Sequence, residues 1–168
     1  AQPSCIAQKE RGTCAGTNTQ IIMAVLQPAE YVRLVAGLAS PEGQVTTQGG
    51  PTLKRHQGTA GSDGTTRTIS SRLYQPAVMT YALKVGRNEQ YRNTEDGQGL
   101  TYDETAAILK AVTGKQIDAI NLYAEQGKKA EALARMERET AAGKLVQTGA
   151  SGHAIVVKAV DRANRAAA

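Results

Sequence analysis

The sequence predicts an α+β domain, a helical part followed by a small antiparallel sheet near the end of the chain. Two observations carry this. Apolar residues recur at helical spacing in successive segments, and the clearest strand pattern, KLVQTGASGHAIVVKAV, comes after nearly all of them. Such segregation is the mark of helices packed on one antiparallel sheet. A chain of 168 residues is long enough to bury one core and short for two, so 1–168 is read as a single domain.

Each element has its own local reason. In Thr17 to Leu26, Ile21, Ile22, Val25 and Leu26 form one apolar face, predicting a buried helix whose first turn begins near Cys14. Pro28 is tolerated at a first helical position and opens a second helix, with Gly37 as its stop. The Gly49–Gly50 pair predicts a tight hairpin within GQVTTQGGPTLKR. After a Gly, Thr and Ser-rich loop, Ile69 to Ala82 predicts a helix interrupted or restarted at Pro76. Another polar loop follows. Thr101 and Glu104 have capping-box spacing, predicting a helix to about Val112 that Gly114 stops. Lys128 to Thr140 is a further helix, with Leu133 and Met136 on a narrow apolar face and a solvated charge run elsewhere.

Composition excludes several roles. With 4 % aromatics and neither Phe nor Trp, the core is expected to rest on Ile, Leu, Val, Met and Ala. A net charge of +5 favours acidic partners, yet Lys and Arg are scattered and no aromatics interleave with them, so no nucleic-acid partner is expected. There is no long apolar stretch and no leader with a charged start, so no membrane partner is expected either. Cys5 and Cys14 are too few for a disulfide framework or a zinc site, and neither metal nor cofactor is expected. One loop-closing disulfide between them stays open as a reading.

The chemistry concentrates on few residues. A thiol attacks as thiolate, and the field at a helix N-terminus favours that form, which is where Cys14 is predicted to sit. Of the two histidines, His56 lies among Lys54 and Arg55 in a polar segment and is read as surface. His153 opens the AIVV run at a strand's edge, a place suited to a base, although a structural histidine there is the bland reading.

Gln8 and Cys14 in a Q-x5-C arrangement, Gly12 just before the helix, and Gly152–His153 opening a late strand resemble the papain-like cysteine peptidase superfamily. The resemblance implies Cys14 as nucleophile at the head of a central helix, His153 as base on a facing sheet, and Gln8 as donor to the oxyanion. Ala15 stands where the family usually has an aromatic, which points toward bacterial effector and toxin relatives. Independently of the family, a side-chain amide beside the Cys14 amide meets the charge of a tetrahedral intermediate; such a donor is worth roughly 3 kcal/mol.

The histidine's orienting partner is unresolved. Asp161 and Asn164 are weak candidates, since a straight strand sets Asp161 roughly 26 Å from His153. The favoured expectation is that the chain ends before that residue; a bent strand or a residue from elsewhere are the alternatives.

The expected function is therefore a cysteine protease-like thiol hydrolase acting on peptide or isopeptide bonds of a protein or peptide substrate. A glutamine deamidase or transglutaminase uses the same machinery. A peptidoglycan amidase ranks third, because such domains place the two residues much closer in sequence. A non-catalytic interaction module is the alternative of another class. By analogy with fold relatives, the expected setting is a secreted bacterial effector working in host cytosol.

Overall fold

The computed structural model describes residues 3–121, 126–150, 152–161 and 166–167. Among them, five α-helices and three two-stranded antiparallel ladders make an α+β protein. The chain divides into two compact units, Ala1–Asp118 and Ala119–Ala168.

In the first unit, α1 (Cys14–Leu26) packs against α2 (Pro28–Ala39), α3 (Ile69–Arg87) and α4 (Tyr102–Thr113). Its buried surface differs from the expected one. Ala15 through Gln20 are all buried, including Thr17, Asn18, Thr19 and Gln20, whereas Val25 and Leu26 remain 47 % and 48 % exposed. The apolar face read from spacing is thus only partly used, through Ile22, because the neighbouring helices close around the polar first half. Thr19 Oγ1 and Gln20 Nε2 meet buried partners at 2.8 and 2.7 Å, whereas Thr17 Oγ1 and Asn18 Nδ2 have none.

Pro28 opens α2 as expected, and Tyr31, Leu34 and Leu38 make its core face. Gly37 does not stop the helix. It lies inside α2 where a Cβ would press on Val45, so its small size admits strand β1 (Gln44–Thr46). β1 pairs with β2 (Thr52–Lys54), Val45 opposite Leu53, with these two turned inward and their flanking residues exposed. The predicted glycine hairpin is present, and the Gly49 amide donates to Ala111 O of α4 at 2.8 Å.

Pro76 does not interrupt α3, which runs from Ile69 to Arg87 with Pro76 inside. One backbone hydrogen bond is lost there. Burial of Leu73, Tyr74, Ala77, Val78 and Ala82 around the proline holds the helix together. The Thr101–Glu104 capping box forms in both directions, Glu104 N to Thr101 Oγ1 at 3.2 Å and Thr101 N to Glu104 Oε2 at 2.8 Å. Glu104 also accepts from Arg87 Nε at 2.8 Å, which ties the start of α4 to the end of α3. Gly114 caps α4 in the left-handed region.

The core joins Met23, Leu34, Leu38, Leu53, Leu73, Val78, Ile108 and Val112. Tyr31 and Tyr74 belong to it as well, with ring centroids 5.7 Å apart edge to face. Tyrosine therefore supplies the bulk that absent Phe and Trp do not, a contribution the aliphatic expectation omitted.

The second unit holds α5 (Lys129–Ala141), the hairpin β3 (Val146–Ala150) with β4 (His153–Val157), and the short pair β5 (Val160–Asp161) with β6 (Ala166–Ala167). The strand, turn, strand reading is met, with Ala150 opposite His153 and Val146 opposite Val157. Gly152, at φ +76°, supplies a positive backbone angle just before β4. On α5, Lys129, Glu131 and Arg138 are exposed as expected while Arg135, Glu137 and Glu139 are half-buried, and Leu133, on the predicted apolar face, is itself 43 % exposed.

Candidate functional site

Cys14 is the first residue of α1, half-buried, and its thiol is free, as is that of the exposed Cys5. The preceding turn is fixed from three sides. Arg11 N donates to Gln8 O at 3.3 Å, Thr13 N to Arg11 O at 2.8 Å, and Gly12 N to Thr94 O at 3.3 Å. Gly12 lies flat against Gly97, and a Cβ on either would meet the other's backbone. The 88–100 loop is thereby seated on the approach to α1.

Thr13 stands at the N-cap position without capping the helix through its side chain. Its hydroxyl is turned away and donates to Gln75 Oε1 on α3 at 2.8 Å. The first amides of α1 consequently have no side-chain cap, and a helix start leaves such amides oriented toward negative charge.

Behind Thr13 lies a buried polar network. Gln75 and Gln20 are fully buried, Gln75 Nε2 donates to Gln20 Oε1 at 2.8 Å, and Gln20 Nε2 donates to Tyr31 Oη at 2.7 Å. Arg67, with its side chain shut off from solvent, donates from Nη1 to Gln75 Oε1 at 3.3 Å and from Nη2 to Asn93 Oδ1 at 3.0 Å. Its charge is met by Asp63, in a close ion pair. Burial raises the Asp63 carboxyl, but hydrogen bonds from Thr65 and Arg67 and the guanidinium charge outweigh it and hold the pKa at about 2.

Tyr91 closes this cluster. It is 1 % exposed and its hydroxyl has no protein partner. Burial pushes its pKa up to about 12, against the pull of Arg67 and Arg11, with Asp63 and Cys14 adding to the rise. The phenol and the thiol are therefore within electrostatic reach of each other.

His56 is not the exposed surface residue its neighbours predict. It is half-buried, edge-on to Tyr91 at 5.9 Å, with Nε2 2.8 Å from Tyr91 O and Nδ1 2.9 Å from Gln57 O. The 88–100 loop meets one ring nitrogen through the Tyr91 carbonyl, and the other faces the carbonyl of the neighbouring Gln57. These contacts tie the ring to the backbone on both sides and give it a structural role.

Gln8 and Cys14 belong to the first unit and His153 to the second. Gln8 is half-buried just ahead of the turn before α1. His153 is exposed at the first position of β4, the strand-opening place its sequence context predicts. Asp161 is placed in β5 opposite Ala166, and Asn164 lies outside the described residues. Among the described residues there is no group of three His, Cys, Asp or Glu side chains able to hold a metal ion, and no helix long and apolar enough to cross a membrane.

Gln75, Arg67, Asp63 and Tyr91 belong to no motif. The one signal for the glutamines is chemical: Gln75 interrupts an apolar stretch between Leu73–Tyr74 and Ala77, and Gln20 borders the one that begins at Ile21. Comparison with protein-family models, with curated proteins and with solved structures finds no match to this chain.

Proposed function

We propose that this protein is a papain-like, cysteine-dependent hydrolase of peptide or isopeptide bonds. The observation that carries the reading is the placement of Cys14: a free thiol heading α1, where the N-cap hydroxyl has been withdrawn to Gln75. An anion at that point is favoured by the helix start, whether it is a thiolate or the oxygen of an intermediate.

In this reading His153 takes the Cys14 proton as sulfur attacks the substrate carbonyl carbon. The carbon–oxygen π pair moves to oxygen, where the Cys14 amide and the Gln8 side-chain amide receive it. Collapse breaks the carbon–nitrogen bond, and the imidazolium gives its proton to the leaving amine. Water, deprotonated by the same imidazole, then hydrolyses the thioester and frees the thiol. Deamidation of a glutamine side chain follows the same steps with ammonia as leaving group, and transglutamination replaces the water by a second amine. The substrate is a protein or peptide, and the setting that suits a free active-site thiol is a reducing one, as for a secreted bacterial effector in host cytosol.

The test is selective alkylation. Iodoacetamide at mildly acidic pH labels Cys14 faster than Cys5 in the wild-type chain, and His153→Ala removes the difference while leaving Cys5 unchanged. Equal, slow labelling of both cysteines overturns the reading and favours a non-catalytic interaction module.

A further inference from the structure

Gln75 is far from Gln8 and Cys14 in sequence, yet its side chain is joined to the residue before each. Nε2 donates to Ala7 O at 3.1 Å, next to Gln8, and Oε1 accepts from Thr13 Oγ1 at 2.8 Å, next to Cys14. The remaining positions are filled by Gln20 Oε1 at 2.8 Å and Arg67 Nη1 at 3.3 Å. A glutamine amide has two donor hydrogens and two principal acceptor sites, so this one is saturated. Its orientation is also decided. Arg67 can only donate and the Ala7 carbonyl can only accept, so exchanging oxygen and nitrogen would oppose donor to donor and acceptor to acceptor.

We infer that Gln75 is the positioning residue of the Cys14 site, a buried strut that sets the spacing of Gln8 and Cys14 by holding Ala7 and Thr13 on one amide. The inference rests on the reading of Cys14 and Gln8 given above. Gln75 does not touch substrate and acts through the Ala7 carbonyl and the Thr13 hydroxyl. Arg67, anchored to Asp63 and Asn93, fixes the strut in turn. An oxyanion contact is sensitive to displacements of about 1 Å, whereas a thiol needs no such register to be alkylated. The two reactions therefore separate positioning from mere integrity of the fold.

The experiment uses the full chain carrying Cys5→Ser, with two probes on Cys14. Iodoacetamide alkylates sulfur by displacing iodide, with no oxyanion. p-Nitrophenyl acetate acetylates it through a tetrahedral intermediate: the carbon–sulfur bond forms, the bond between the acyl carbon and the phenolic oxygen breaks, and p-nitrophenolate leaves as the thiol proton passes to His153 and then to buffer. Gln75→Leu and Thr13→Val are each expected to slow acetylation by about 10- to 100-fold while alkylation keeps the wild-type rate. Thr13→Ser, which retains the hydroxyl, restores acetylation, and Gln8→Ala added to Thr13→Val slows it no further. If Gln75→Leu lacks a cooperative melt, the folded Thr13→Val chain decides. Undiminished acetylation in Thr13→Val, or equal slowing of both probes, overturns the inference alone. A wild-type Cys14 that is never acetylated overturns the proposed function, and this inference with it.

Discussion

Arg67 and Asp63 bury opposite charges a few residues apart, with side chains 0 % and 3 % exposed. Removing one partner strands the other, and Asp63→Asn should lower stability by about 3 kcal/mol in urea unfolding at neutral pH. The same pair sets an acid limit. Because the folded Asp63 pKa is depressed to about 2, its contribution is complete above the ordinary carboxylate value and is lost as pH falls from about 4 toward 2. Melting temperatures recorded across that window should fall in the wild-type chain, and Asp63→Asn should flatten the Asp63 share of the fall. Tyr91 has the opposite sign. Its pKa is raised to about 12, so the stability it lends is present below pH 10 and lost as pH climbs through 12. Its hydroxyl has no protein partner, so Tyr91→Phe should unfold at equal or higher urea concentration at pH 7, gaining up to about 1 kcal/mol, and should lose less stability than wild type at high pH.

At the scale of elements, caps and close approaches position the site. The Thr101 hydroxyl closes half of the capping box of α4, and Thr101→Ala should cost about 1 kcal/mol of unfolding free energy, with Thr101→Ser close to neutral. Gly12 matters differently. Its contact with Gly97 is backbone on backbone, so Gly12→Ala forces apart the turn before α1 and the 88–100 loop. The expected loss is about 1–3 kcal/mol of stability, together with altered iodoacetamide reactivity of Cys14, read by denaturation and by labelling. The capping box was legible because both partners lie within one turn of chain. Gly37 and Pro76 were misread for the complementary reason: local rules treat them as breaks, while Val45 beside one and the buried face of α3 around the other make an unbroken helix the better-packed state.

For the whole molecule, the residues of the main core all belong to the first unit, from Met23 to Val112. Residues 1–118 expressed alone should therefore unfold cooperatively in urea, monitored by circular dichroism. They should also keep Cys14 alkylatable, but without the acceleration at mildly acidic pH that the proposed function attributes to His153. A fragment that retains that acceleration would remove His153 from the mechanism. What the amino-acid order settled by itself was local: where α1 and α2 start, the glycine hairpin, the capping box, the β3–β4 hairpin, and Cys14 at a helix head, each decided by steric and hydrogen-bonding rules that act within a few residues. What tertiary structure decided was which polar groups go inside. The burial of Gln20, Gln75, Arg67 and Asp63, the use of tyrosine as core, and the withdrawal of Thr13 from its cap depend on partners up to 68 residues away, as Ala7 and Gln75 are. A buried hydrogen bond is satisfied by whatever the fold brings near, and no local period records that distance.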